Sequence, residues 1–255
     1  MGYNRETNIK QGIITTENVV RVLKANPLCS KFKQFLKKEV KSMKKSELIQ
    51  EIGKEKLIVI LRGTGLEEAT KTTETLLKVG VKFIEVALNT RNASFILNSL
   101  AKEFGADGHF GAGTVLDAGS AIESFRNGAE FLVTPTVNPE VIRVANKYGK
   151  LCIIGALSPT EILSAYELGA DLVKVFPASI VGPKYIKAVL GPLNYISLVP
   201  TGGISLNNVQ EFMEAGAYAV GVGGELIDKT AIKEGNFEKI SMDAAKFIKL
   251  LKDRY

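Results

Sequence analysis

Two charged side chains stand inside runs that are otherwise apolar. Phe83-Ile84-Glu85-Val86-Ala87-Leu88 holds one acid, and Leu172-Val173-Lys174-Val175-Phe176 holds one amine. Both runs read as strands, whose side chains alternate between two faces. With Ile84, Val86 and Leu88 on one face, Glu85 lies on the other. The same parity separates Lys174 from Val173 and Val175. An isolated charge among buried apolar neighbours is costly unless it is paired or used. If paired, the two form a structural ion pair. If used, a desolvated lysine is a nucleophile, because burial disfavours its charged form and frees the amine to attack a carbonyl. The resulting iminium is an electron sink that lets an adjacent carbon–carbon bond break, and a nearby carboxylate can move the protons. Both readings stand on these residues alone.

Further candidates follow the apolar runs. Pro200-Thr201-Gly202-Gly203-Ile204-Ser205 and Gly221-Val222-Gly223-Gly224 close the last two strand candidates. Glycines there expose backbone N–H groups ahead of a helix start, a setting that favours anions. One Gly-Gly pair marks a turn. Two in successive positions point to a phosphate held by Gly202, Gly203, Gly223 and Gly224, with Glu225 expected to turn away. Arg62 can clamp a carboxylate or phosphate, or make a surface ion pair. Thr114 can donate to a carboxylate, or cap a helix. His109, the sole histidine, reads as structural. No His, Cys, Asp and Glu cluster has metal-ligand spacing, so neither a metal-dependent mechanism nor a cofactor is expected.

The elements that must position these groups form a rhythm. Strands are expected at Leu57–Leu61, Phe83–Leu88, Gly108–Gly113, Glu130–Thr134, Leu151–Ile154, Leu172–Phe176, Ile196–Val199 and Ala219–Val222. Helices are expected at Leu66–Lys78, Ala93–Phe104, Ala118–Asn127, Pro139–Lys147, Pro159–Leu168, Pro183–Leu190, Leu206–Ala215 and Phe237–Leu251. Gly80, Gly105, Gly128, Gly149, Gly169 and Gly216 read as helix stops. Strict alternation specifies a parallel sheet, and eight repeats favour a closed (β/α)8 TIM barrel, an α/β fold, over an open doubly wound sheet. Gly111-Ala112-Gly113-Thr114-Val115-Leu116 lacks the third glycine of a dinucleotide fingerprint. In such a barrel, strands two and six share interior layers, which sets Glu85 and Lys174 across one cavity.

Composition limits the alternatives. Of 255 residues 45% are apolar, enough for a sizeable core. The formal charge of +6 resides in residues 1–42, with nine Lys/Arg against three Asp/Glu, while the rest carries 24 of each sign. A nucleic-acid or membrane partner is therefore not expected of residues 43–255, the barrel domain. Residues 1–42 read as a basic, partly helical extension, with apolar clusters at Val19, Val20, Val22 and Leu23 and at Phe32, Phe35 and Leu36. Either it is upstream of a start at Met43, or it is a docking or targeting tail. No signal peptide is expected at the N-terminus. Two cysteines, Cys29 and Cys152, form no disulfide framework, which makes a reducing cytoplasm the default.

From about residue 45 onward the chain resembles the 2-keto-3-deoxy-6-phosphogluconate (KDPG) and 4-hydroxy-2-oxoglutarate aldolase family. The resemblance rests on Ile84-Glu85-Val86, Gly111-Ala112-Gly113-Thr114-Val115-Leu116, Val133-Thr134-Pro135, Lys174-Val175-Phe176-Pro177 and Pro200-Thr201-Gly202-Gly203-Ile204, all in family order. It implies a class I aldolase on a (β/α)8 barrel, usually a homotrimer, which cleaves a phosphorylated keto-deoxy sugar acid to pyruvate and glyceraldehyde 3-phosphate. By the same resemblance Lys174 matches the imine-forming lysine and Glu85 the proton-transferring acid. Thr114 matches a pyruvate-carboxylate ligand, Pro135 and Phe176 wall positions, and Thr201 a position for stereochemical selection. Asn89 stands where many members carry an arginine that holds pyruvate, with Arg91 nearby. Leu61-Arg62-Gly63 and Leu88-Asn89-Thr90 resemble the 6-phosphogalactonate branch, and Thr201 the gluconate branch. A phosphosugar isomerase, epimerase or binding barrel remains as the alternative that needs no covalent lysine.

Overall fold

The computed structural model describes residues 43–252. The extension of residues 1–42, with its expected helices and Cys29, lies outside them. The eight strands are β1 (Leu57–Leu61), β2 (Phe83–Ala87), β3 (His109–Gly113), β4 (Phe131–Val133), β5 (Leu151–Ala156), β6 (Leu172–Val175), β7 (Leu198–Pro200) and β8 (Val220–Val222). They are parallel throughout, in the order β7-β6-β5-β4-β3-β2-β1-β8. A Thr201–Gly221 bridge joins the two ends, so the sheet curls into a nearly closed barrel. β1, β2, β5 and β6 are buried along their whole length, as a sheet with both faces covered requires.

The helices are α1 (Lys45–Glu55), α2 (Leu66–Lys78), α3 (Ala93–Phe104), α4 (Ala118–Arg126), α5 (Pro139–Lys147), α6 (Pro159–Glu167), α7 (Ala178–Leu190), α8 (Val209–Glu214), α9 (Lys229–Lys233) and α10 (Phe237–Lys252). Their starts follow local chemistry. Ser158 caps α6 through the Glu161 amide, Glu161 returns a bond to the Ser158 amide, and Pro159 follows, a capping box with proline at the first helical position. Five of the six expected glycine stops take positive φ. Gly105 does not: at φ −61° it remains right-handed. The expected start of α7 at Pro183 is also corrected. The element begins at Ala178 and breaks at Gly182 (φ 70°), after which Pro183 opens its second half. β7 lies two residues later than expected at its start, because Ile196 is held in a turn by its bond to the Leu193 carbonyl.

Two apolar layers result. Ile84, Val86, Val173 and Val175 pack outward against the helices. Ile58, Phe83, Phe131, Val133, Leu151, Ile153, Leu172 and Val199 fill the lower interior. Helix α1, absent from the sequence reading, closes this lower end. Its Leu48 and Ile52 join the interior cluster, each stabilising by roughly 1.5–3 kcal/mol on burial. Tyr218 donates to the Ile49 carbonyl at 2.8 Å, and Lys45 pairs with Asp171 at 2.9 Å. Helix α1 thus covers the end of the barrel at which the strands begin.

Candidate active site

Strand pairing places the acid and the amine. Glu85 is in register with Ile60 and Gly111, and Lys174 with Gly155 and Val199. Both point inward, at 1% and 3% exposure, as their parity requires. They are electrically coupled, yet no ion-pair contact joins them among the described residues. Glu85 Oε1 is buried without a hydrogen-bond partner among those residues. This is not a closed structural ion pair: a buried acceptor and a buried amine act on each other without touching. Burial raises the Glu85 carboxyl above the usual range, against the opposing charges of Lys174 and Arg62. Burial lowers the Lys174 amine, against Glu85 and helped by Arg62. Both groups are pushed toward neutrality, the condition for a nucleophilic amine and a proton-shuttling acid. Lys174 Nζ lies 4.9 Å from the centre of the Phe176 ring.

Glycines on neighbouring strands make room for this arrangement. A Cβ on Gly113 would fall 1.6 Å from Glu85 Oε1, so the carboxylate occupies the space a side chain would take. Gly155 is crossed by the Pro135 backbone, where a Cβ would meet the carbonyl carbon at 2.2 Å. Pro135 thus contributes main chain to the wall beside Lys174. Thr134, unassigned in the sequence reading, locks that wall: it donates to the Thr136 carbonyl at 2.7 Å and accepts from the Gly155 amide at 2.9 Å.

Arg62 and Thr114 meet although 52 positions separate them. Arg62 Nη2 donates to Thr114 Oγ1 at 3.3 Å, and the guanidinium acts electrically on both Glu85 and Lys174. Among the described residues Arg62 makes no surface ion pair. Thr114 caps no helix, since Asp117 caps α4. Thr114 instead takes φ 59°, a left-handed conformation that is unusual for a β-branched residue and concentrated at functional sites. Asn89 is not brought into this group: it sits exposed in the turn after β2, and no hydrogen bond joins it to Arg62 or Thr114.

Thr201 is buried and donates to the Val199 carbonyl at 3.2 Å. Its hydroxyl lies over Gly221, where a Cβ would fall 2.4 Å away. Gly202 and Gly203 have φ of 93° and 73°, a conformation that favours glycine. Gly223 and Gly224 do not need it, and a Cβ on Gly224 would meet nothing. The Gly203 and Gly224 amides donate to no carbonyl among the described residues. Glu225 is exposed. A separate cavity of about 330 Å³, bounded by Gly63, Thr64, Thr90, Arg91 and Phe95, opens beside the mouth, and neither Glu85 nor Lys174 lines it.

His109 and Cys152 have structural surroundings. His109 lies between Glu130 (3.1 Å) and Glu51 of α1 (3.4 Å) and stacks on Phe83. Burial followed by the Asp171 charge pushes the Cys152 thiol up to about 12, which makes it a poor nucleophile. No group of three His, Cys, Asp or Glu among the described residues has the arrangement of a metal site. No described helix is long and apolar enough to cross a membrane.

Comparison with known proteins gives a consistent picture. Residues 48–242 match the family model described as "KDPG and KHG aldolase". A 2-dehydro-3-deoxy-6-phosphogalactonate aldolase of Escherichia coli (strain K12) is 32% identical over 77% of this chain and 95% of that protein. A 2-dehydro-3-deoxy-phosphogluconate aldolase of Haemophilus influenzae is 28% identical over 81% and 97%. The structure of KDPG aldolase from Legionella pneumophila "with pyruvate captured at low pH as a covalent carbinolamine intermediate" superposes with a TM-score of 0.73, at 27% identity over 81% of this chain and 98% of that one.

Proposed function

Because this chain belongs to the KDPG and KHG aldolase family, and is therefore an aldolase and a lyase, we propose that it cleaves 2-dehydro-3-deoxy-6-phosphogluconate to pyruvate and glyceraldehyde 3-phosphate through an imine on Lys174. The observation that carries the reading is the burial of Lys174 and Glu85 without an ion-pair contact between them, with Glu85 Oε1 lacking a hydrogen-bond partner among the described residues. Neutral Lys174 adds to the C2 ketone, and loss of water gives the iminium. Glu85, directly or through one water, takes the proton of the C4 hydroxyl. The C3–C4 electron pair then moves into the iminium, releasing the aldehyde and leaving the enamine. Glu85 returns the proton to C3, and hydrolysis frees pyruvate and the amine. Arg62 and Thr114 hold the C1 carboxylate, Pro135 and Phe176 wall the reacting carbons, and Thr201 faces the C4 centre. The amides of Gly202, Gly203, Gly223 and Gly224 receive the phosphate.

The galactonate epimer is a second reading, favoured by the Escherichia coli relative and by Asn89 in place of arginine. A homotrimer in the cytoplasm, implied by the resemblance, belongs to the same proposal, and light scattering reads the oligomer. The test of the chemistry is to incubate the protein with pyruvate, reduce with borohydride and map the adduct by mass spectrometry. An adduct on Lys174, absent in Lys174→Ala, is expected; a folded wild-type protein that traps none refutes the mechanism. Paired cleavage assays on the two epimers assign the sugar.

A further inference from the structure

The phosphate loops carry an electrostatic conflict. A phosphate monoester bears about −1.5 to −2 at neutral pH, and Glu225 follows the Gly223-Gly224 loop directly. Backbone amides alone offset an extra carboxylate poorly, so a cation is needed within reach of these loops. Arg62 is committed elsewhere: its guanidinium is bonded to Thr114.

Lys229 meets the requirement. The chain folds back after β8 because the Leu226 and Ile227 amides both bond the Gly223 carbonyl, at 3.0 and 2.8 Å. Asp228 then caps α9 through the Thr230 and Ala231 amides and pairs with Lys239. Asp228 is therefore not the partner of Lys229. Nor is Glu225, four residues away: Lys229 makes no ion pair among the described residues. Instead it reaches across to the β1 loop. A Cβ on Gly63 would lie 3.0 Å from Lys229 Nζ, so the ammonium rests over the bare backbone of that glycine. β8 and β1 are adjacent strands, so the ammonium lies over the β1 loop, next in the barrel to the loop that follows β8, with no ion-pair partner among the described residues.

We propose that Lys229 is a specificity-determining residue that closes on the phosphate of the substrate from the β8–β1 side and offsets Glu225. This rests on reading the mouth as a site for a phosphorylated sugar acid. An ammonium suits the task as a mobile point charge, able to follow a phosphate without the fixed fork of a guanidinium. Gly63 is then required for the space it leaves as well as for its φ of 71°.

The test uses binding, which needs no turnover. Glycerol 3-phosphate and inorganic phosphate are titrated calorimetrically into the full chain and into Lys229→Ala, Lys229→Arg and Glu225→Gln, each checked for folding by circular dichroism. Lys229→Ala is expected to weaken glycerol 3-phosphate about tenfold, the loss of one charge-assisted hydrogen bond. Lys229→Arg should recover most of the affinity, and Glu225→Gln should tighten binding. Equal affinities in wild type and Lys229→Ala, or no saturable binding by the wild type, overturn the assignment. Borohydride trapping of pyruvate on the same samples reads the aldolase chemistry separately. A missing Lys174 adduct counts against the proposed reaction and leaves the phosphate result standing.

Discussion

Gly113→Ala tests whether the position of the Glu85 carboxylate governs proton transfer. Gly113 lacks a positive φ, so the backbone itself accepts alanine. The obstacle is the new Cβ, which would fall 1.6 Å from Oε1, 2.3 Å from Cδ and 2.5 Å from Cγ of Glu85. Ordinary contact begins at 3.4 Å, so Oε1 must retreat by about 1.8 Å. A misplacement of about 1 Å can already cost ~10²-fold in rate, and a positioned acid–base group contributes ~10²–10⁴-fold. The expected loss is therefore about 10²–10⁴-fold, a barrier increase of roughly 3–5 kcal/mol. Crowding of this kind costs about 1–3 kcal/mol of stability, which a barrel of this size is expected to survive. The assay is hydrogen–deuterium exchange at C3 of pyruvate, followed by NMR, beside borohydride trapping. Exchange needs the proton mover, whereas trapping reports imine formation. The variant should still trap pyruvate on Lys174 but exchange it at least a hundredfold more slowly, as should Glu85→Gln. Exchange within threefold of wild type in folded Gly113→Ala protein would refute the assignment of Glu85 to that step.

Two further expectations follow from the same geometry. Thr114→Gly relieves a left-handed residue that costs ~1–2 kcal/mol while removing the hydroxyl bonded to Arg62. The melting temperature should hold, while the pyruvate concentration for half-maximal trapping rises about tenfold; a lowered melting temperature with unchanged pyruvate dependence contradicts this. His109 gives a pH dependence of stability. Burial works against its charge and is the largest single influence, but the bonds and charges of Glu130 and Glu51 outweigh it and raise its pKa. A raised folded-state pKa means that the clamp on α1 is fully present below the unfolded value of about 6.5 and is lost as pH rises through the folded value. The melting-temperature difference between wild type and His109→Gln should be largest in mild acid and shrink on the alkaline side; a difference that grows with pH refutes the clamp.

The barrel and the inward placement of Glu85 and Lys174 were legible in the sequence because both follow from local periodicity. A strand alternates every two residues, so Ile84, Val86, Val173 and Val175 fix the parity of the charges between them. The start of α6 at Pro159 is equally local, and boundaries such as those of α2, α3 and α5 follow from their own residues. Periodicity says which face a side chain takes; it does not say what stands opposite. The contact of Arg62 with Thr114, the carboxylate filling the space over Gly113 and the exposure of Asn89 depend on the register and closure of strands far apart in the chain. Helix α1 escaped for a related reason: Leu48 and Ile52 acquire a partner surface only when eight strand beginnings are gathered into one floor. Local alternation along each strand is enough to send Glu85 and Lys174 into the barrel. Which of these groups meet depends on the folded barrel, because distances across it are set by all eight strands together.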